Sequence, residues 1–60
     1  MKIESLVIGK KYRSTAFKSP VTLIEIGEKS DSKEHGEVAI LTVSYRGKEY
    51  FDFNFSLSEV

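Results

Sequence analysis

The sequence predicts a single small all-β domain, and three observations carry that expectation. Sixty residues suffice for one domain and no more. Val, Ile, Thr, Tyr and Phe dominate the stretches between turn signals, and these types suit a pleated, half-buried surface. Helix formers nowhere gather at i, i+3, i+4 spacing over a useful length, so at most one helical turn fits, around 56–59.

Composition narrows the chemistry. There is no cysteine, which removes disulfides, thiolate metal sites and a thiol nucleophile, and which fits a reducing cytoplasm. A chain of this size buries only about 60% of the surface its unfolded form exposes. Stability therefore has to come from apolar packing or self-association, and the apolar residues are supplied in adequate number by Ile, Leu, Val and four Phe. No apolar run approaches the roughly 20 residues of a membrane span or the length of a signal peptide, so a soluble, cytoplasmic chain is expected. Net charge is zero. The distribution is uneven: residues 1–20 hold five basic side chains and one acidic, residues 21–60 four basic and eight acidic, giving +4 and −4. A duplex-DNA binder usually shows a basic excess over the whole domain.

Five strands are expected. The first lies within 3–8, and Gly9-Lys10 turns the chain into a second at 11–14. A polar loop follows over 15–20, where Pro20 bars regular pairing at its own nitrogen. The remaining strands are 21–28, 37–44 and 48–55, with the charged segment 29–36 as a solvated tip. A three-residue loop at Tyr45-Arg46-Gly47, with Gly47 left-handed, pairs Ser44 with Lys48 and sets Leu41 opposite Phe51. A two-residue loop sets Thr42 opposite Phe51 and scatters the apolar set, so the longer loop is favoured. Pairing Glu28 with Glu37 then gives a core face of Thr22, Ile24, Ile26, Ala39, Leu41, Val43, Phe51, Phe53 and Phe55. The first twenty residues fold across it with Ile3, Leu6, Ile8 and Tyr12, and a five-stranded antiparallel barrel is the natural closure.

The order Leu6-x-x-Gly9-x-x-Tyr12, a polar loop, a Pro20-led strand, a charged hairpin tip, two paired strands and a closing Leu57-Ser58-Glu59-Val60 resembles the SH3-like small barrels. That group includes Tudor-type and KOW-type domains. The resemblance covers nearly the whole chain in layout and implies an SH3-like barrel that binds protein or nucleic acid, with no particular ligand. The residues themselves leave another five-stranded small barrel, such as a minimal OB-type fold, open.

Catalysis and metal binding find little footing. His35 is the only histidine, and with Asp31, Glu34 and Glu37 around a charged tip it reads as a solvated loop residue. No Gly-x-Ser-x-Gly elbow or phosphate-cradling glycine loop occurs, and a carboxylate pair of Asp52 with Glu49 or Glu25 has no evident cleft. No enzyme activity and no cofactor are expected.

Surface chemistry offers three readings. On the register above, Val21, Leu23, Val38, Ile40, Thr42 and Tyr50 face outward. This patch is either covered by the N-terminal segment or docks a protein partner or a second copy, with Tyr50 as anchor. Tyr12, Phe17, Tyr45 and Tyr50 are the aromatics left over for a cation-holding cage. Lys10, Lys11, Arg13 and Lys18 with Phe17 are the basic and aromatic set that a single-stranded nucleic acid would need, opposed by the acidic remainder. The favoured expectation is a protein-interaction module, a small regulator or phage-type inhibitor of a larger machine. It uses Tyr50, Ile40 and Leu23 for docking and Lys11, Arg13 and Arg46 for orientation. A weak nucleic-acid binder and a homo-oligomeric subunit are the alternatives.

Overall fold

The computed structural model describes Met1–Val60. It holds one antiparallel five-stranded sheet: β1 (Lys11–Ser14), β2 (Val21–Ser32), β3 (Gly36–Tyr45), β4 (Lys48–Phe53) and β5 (Leu57–Glu59), in the order β4-β3-β2-β1-β5. Single 3-10 turns stand at Ile3–Ser5 and Asn54–Ser56. The all-β expectation and the strand number hold, but two elements differ. Residues 3–8 form a 3-10 turn and an extended lead-in instead of a strand, and the fifth strand is Leu57–Glu59, where a helical turn was expected.

Spacing explains the first difference. Side chains three apart eclipse in a 3-10 turn, so Ile3 and Leu6 both reach the core, whereas a strand sends them to opposite faces. Val7 and Ile8 are left exposed, and Ile8 does not join the core as expected. The Val7 amide donates to the Tyr12 hydroxyl at 2.8 Å, which satisfies a polar atom of a wholly buried ring.

The β3–β4 connection departs most from expectation. The loop has two residues, Arg46 and Gly47, both at positive φ (52° and 80°), as a type I′ hairpin requires. Tyr45 pairs with Lys48, so Leu41 lies opposite Asp52 and Thr42 opposite Phe51. This is a one-residue slip from the expected register, and it turns β4 over. Phe51, Phe53 and Phe55 are exposed, while Asp52 and Asn54 are buried.

The β2–β3 pair is irregular too. Register shifts occur between Leu23 and Glu25 and between Ile26 and Lys29, after which pairing continues to Ser32 opposite Gly36. The expected tip 29–36 is thus mostly strand, which reaches beyond the core and gives the molecule its 32 Å long axis. Gly27 is required at the second bulge, because a Cβ there would meet the Ile40 carbonyl oxygen at 2.8 Å. The first shift leaves Ile24 exposed and turns Leu23 inward with Val21. The core therefore consists of Ile3, Leu6, Tyr12, Val21, Leu23, Ala39, Leu41, Val43 and Leu57, with Phe17, Ile26 and Tyr45 packed at its edge. Val21 and Leu23 were expected outside; Ile24 and the three Phe were expected inside.

The ends of the sheet approach one another. β4 and β5 are outermost in strand order, yet one 3-10 turn joins them. Across the core, the Ser14 hydroxyl of β1 donates to the Asp52 carboxylate of β4 at 2.5 Å. The sheet curls strongly for that reach to be possible, though β4 and β5 do not pair and it remains unclosed.

Candidate protein-binding face

Strand parity decides which side chains meet. On the outer face β3 contributes Val38, Ile40, Thr42 and Ser44, and β4 contributes Glu49, Phe51 and Phe53. Ile40 lies directly opposite Phe53 and Thr42 opposite Phe51. Phe51 is 80% exposed, the largest value among the big apolar side chains, and Ile40 is 44% exposed.

A column of rings extends this face toward the hairpin tip. Phe53 and Phe55 stack at 5.2 Å between centroids with an interplanar angle of 8°. His35 stacks on Phe55 at 4.0 Å and 8°, with its Nε2 3.9 Å from the Glu34 carboxylate. The tip histidine, expected to be simply solvated, thus continues an aromatic surface. Phe51, Phe53, Phe55 and Ile40 together expose roughly 400 Å² of apolar side chain, within the range of a monomer's largest patch.

The rim is acidic. Glu49 is the only charged side chain that β3 and β4 place on this face, and β2 adds Glu25 opposite Thr42. Neither carboxylate has a Lys or Arg within ion-pair distance; the one Lys or Arg ion pair of the protein is Lys10–Glu59.

The buried side of β4 explains how its phenylalanines can face solvent. Asp52 accepts from Ser14 through one oxygen and from the Phe53 amide through the other, at 2.8 Å. The Ser14 hydroxyl oxygen in turn accepts from the Ala16 amide at 3.1 Å. Asn54 accepts from the Ala39 amide at 2.9 Å and donates to the carbonyls of Met1 and Glu37 at 3.0 and 3.2 Å. No buried side-chain polar atom lacks a partner.

The residues expected at the site scatter. Ile40 is on the outer face as foreseen. Tyr50 is not beside it: the turned register puts Tyr50 opposite Val43, on the core side of the sheet, where it is still 40% exposed. Leu23 is wholly buried and cannot dock a partner, because the β2 bulge turns it inward. Lys11 and Arg13 are exposed on the opposite side of β2 from the aromatic face, along β1, and Arg46 sits at the hairpin turn with its guanidinium 5.4 Å from the Tyr45 ring centre.

Three of the four cage residues and three of the five residues of the basic set do come together. Phe17 packs against Tyr45 at 4.9 Å and Tyr50 at 5.3 Å, and Tyr12 is buried elsewhere, so three rings fill one another's space and leave none for a cation. Lys10 is held by Glu59 at 3.2 Å. Arg13, Phe17 and Lys18 line one shallow depression with Pro20 and Val60, and the Phe17 ring also packs on Tyr45 and Tyr50. Lys11 stays free at the surface. No three His, Cys, Asp or Glu side chains converge in a metal-holding group. No helix is long and apolar enough to cross a membrane.

Sequence reasoning missed Phe51, Phe53, Phe55, His35 and Glu49. The signal was present as Phe51-Asp52-Phe53-Asn54-Phe55, a strict alternation, but alternation alone does not say which set faces in. No family model, no characterised protein and no solved structure matches the chain.

Proposed function

We propose that this protein is a non-enzymatic interaction module, SH3-like in layout, that docks on a larger protein through the outer face of β3 and β4 in the manner of a small regulator. The observation that carries the reading is Phe51, 80% exposed within a continuous set of Ile40, Phe53, Phe55 and His35. Scattered single apolar residues on a surface are ordinary, but a contiguous aromatic face is a feature of docking sites. The barrel-like layout is supported by the strand order, by the single turn linking the outermost strands, and by the Ser14–Asp52 bond across the core.

The test is affinity capture with three baits: wild type, Phe51→Ser, and Lys11→Ser/Arg13→Ser. A protein retained by wild type and by the basic-residue variant but lost with Phe51→Ser is the expected result. Retention insensitive to Phe51 overturns the reading. Nucleic acid lost only with the Lys11 and Arg13 substitutions, and lost steeply with added salt, would replace it with phosphate recognition along β1.

A further inference from the structure

We infer that the occupant of this face is an extended peptide segment added as a sixth strand along β4, with a cationic side chain beside Glu49 and an apolar one beside Phe51. The inference rests on the docking reading above and specifies the partner's chemistry.

The free edge comes first. β4 is outermost in the sheet, with β3 on one side and no strand on the other. In an antiparallel pair, hydrogen-bonded and non-hydrogen-bonded residue pairs alternate. Tyr45 and Lys48 close the two-residue turn as a hydrogen-bonded pair, so Tyr50 and Asp52 also bond to β3. The backbone groups of Glu49, Phe51 and Phe53 therefore point off the free edge. The Phe53 amide bears this out, since it donates to its neighbour's Asp52 carboxylate instead of to β3. That bond also occupies the far end of the edge, which leaves Glu49 and Phe51 as the open positions.

The same two residues carry the recognition chemistry. Their side chains lie on the outer face, and together with Thr42 and Tyr50 they line a shallow depression at the edge of the sheet. A strand added there places every second side chain on that face. One falls next to Phe51, whose exposed ring offers apolar area, and another two positions along falls next to Glu49. Glu49 and nearby Glu25 have no ion-pair partner in the protein, and no basic side chain shares the outer face of β3 and β4. Charge complementarity thus selects a Lys or Arg over a carboxylate at that position. In the antiparallel arrangement, the more stable per residue, the partner reads apolar-x-basic in the N-to-C direction.

Synthetic peptides test this on the intact protein. Three peptides share one alternating pattern, Thr with Val, and differ only in carrying Lys, Ser or Glu at the position beside Glu49. Binding is read from amide chemical shifts and from hydrogen-exchange protection at Glu49 and Phe51. The Lys peptide should bind on the order of tenfold more tightly than the Glu peptide at low salt. Glu49→Lys should reverse the order, and N-methylation of the peptide amide facing Phe51 should abolish binding. Phe51-dependent binding with no charge preference, or a preference that Glu49→Lys does not reverse, overturns the inference about the partner while leaving the docking face intact. If no peptide protects the Glu49 and Phe51 amides, strand addition is overturned. A concentration-dependent dimer that protects the same amides without peptide would assign the edge to a second copy and overturn it too.

Discussion

β3 and β4 are paired neighbours that turn opposite kinds of side chain toward the core. β3 buries Ala39, Leu41 and Val43 and turns Thr42 and Ser44 outward together with Val38 and Ile40, so its core side is wholly apolar. β4 and the turn after it bury Asp52 and Asn54 and show Phe51, Phe53 and Phe55 to solvent. Burial alternates along Ala39–Val43 and along 51–54, so over these stretches the difference is one of phase and not of pattern.

The two-residue turn sets that phase, and the size of the core allows it. Eight aliphatic side chains and the Tyr12 ring already fill the interior of the curled sheet. Three phenylalanines in place of Tyr50, Asp52 and Asn54 would overfill it, and overpacking costs about 1–3 kcal/mol per intrusion. Asp52 and Asn54 are compact, and their polar atoms find partners that tie β4 to β1, β3 and the N-terminus. The contrast teaches that in a very small domain a buried polar pair can serve as the closing seam, freeing the apolar side of a strand for another use.

The largest effect should come from the conventional strand. Leu41→Ala empties a wholly buried position at the centre of the core, and it should cost about 2–5 kcal/mol in urea unfolding. For a chain this short that approaches complete unfolding, and a loss under about 1 kcal/mol would mean that β3 does not anchor the core.

The seam should come next. Asn54→Leu adds apolar surface but strips the Ala39 amide of its acceptor and the Met1 and Glu37 carbonyls of a donor. A cost of about 1–3 kcal/mol is expected. Asn54→Asp keeps the acceptor but turns a buried carboxylate oxygen toward the Met1 and Glu37 carbonyls, and at neutral pH it should cost at least as much as Asn54→Leu. If Asn54→Leu were stabilising, the polar seam would be incidental and the inversion of β4 would need another cause.

Much of this architecture was legible in the residues. The all-β class, the four strands that became β1 to β4, and Ile3, Leu6, Tyr12, Ala39, Leu41 and Val43 as core all followed from apolar patterning, while Leu57–Glu59 as a strand did not. The face of β4 did not, because it hung on whether one positive-φ residue or two lay between Tyr45 and Lys48. Gly47 announces one; Arg46 at φ 52° is a side chain in a conformation that type I′ turns usually give to Asn, Asp or Gly. The bulges in β2 were equally silent, since Gly27 signals a possible bulge but Ile24 does not. Both of these misses were phase errors, and each moved a set of side chains through the sheet. Leu23 left the candidate site for the core by this route, and Phe51 made the opposite journey.

Phe51→Thr should have the smallest effect on stability and is the sharpest probe of the comparison. A side chain 80% exposed on an edge strand contributes little to folding, and Thr preserves strand preference, so the change should stay within about 0.5 kcal/mol of wild type. The same substitution removes the ring beside the open edge and should eliminate partner binding. Retained stability with lost binding separates the two strands by purpose, β3 for the fold and β4 for the encounter. A loss of about 2 kcal/mol or more would instead place Phe51 in a packed environment, and the outward phase of β4 would be wrong at its most exposed residue.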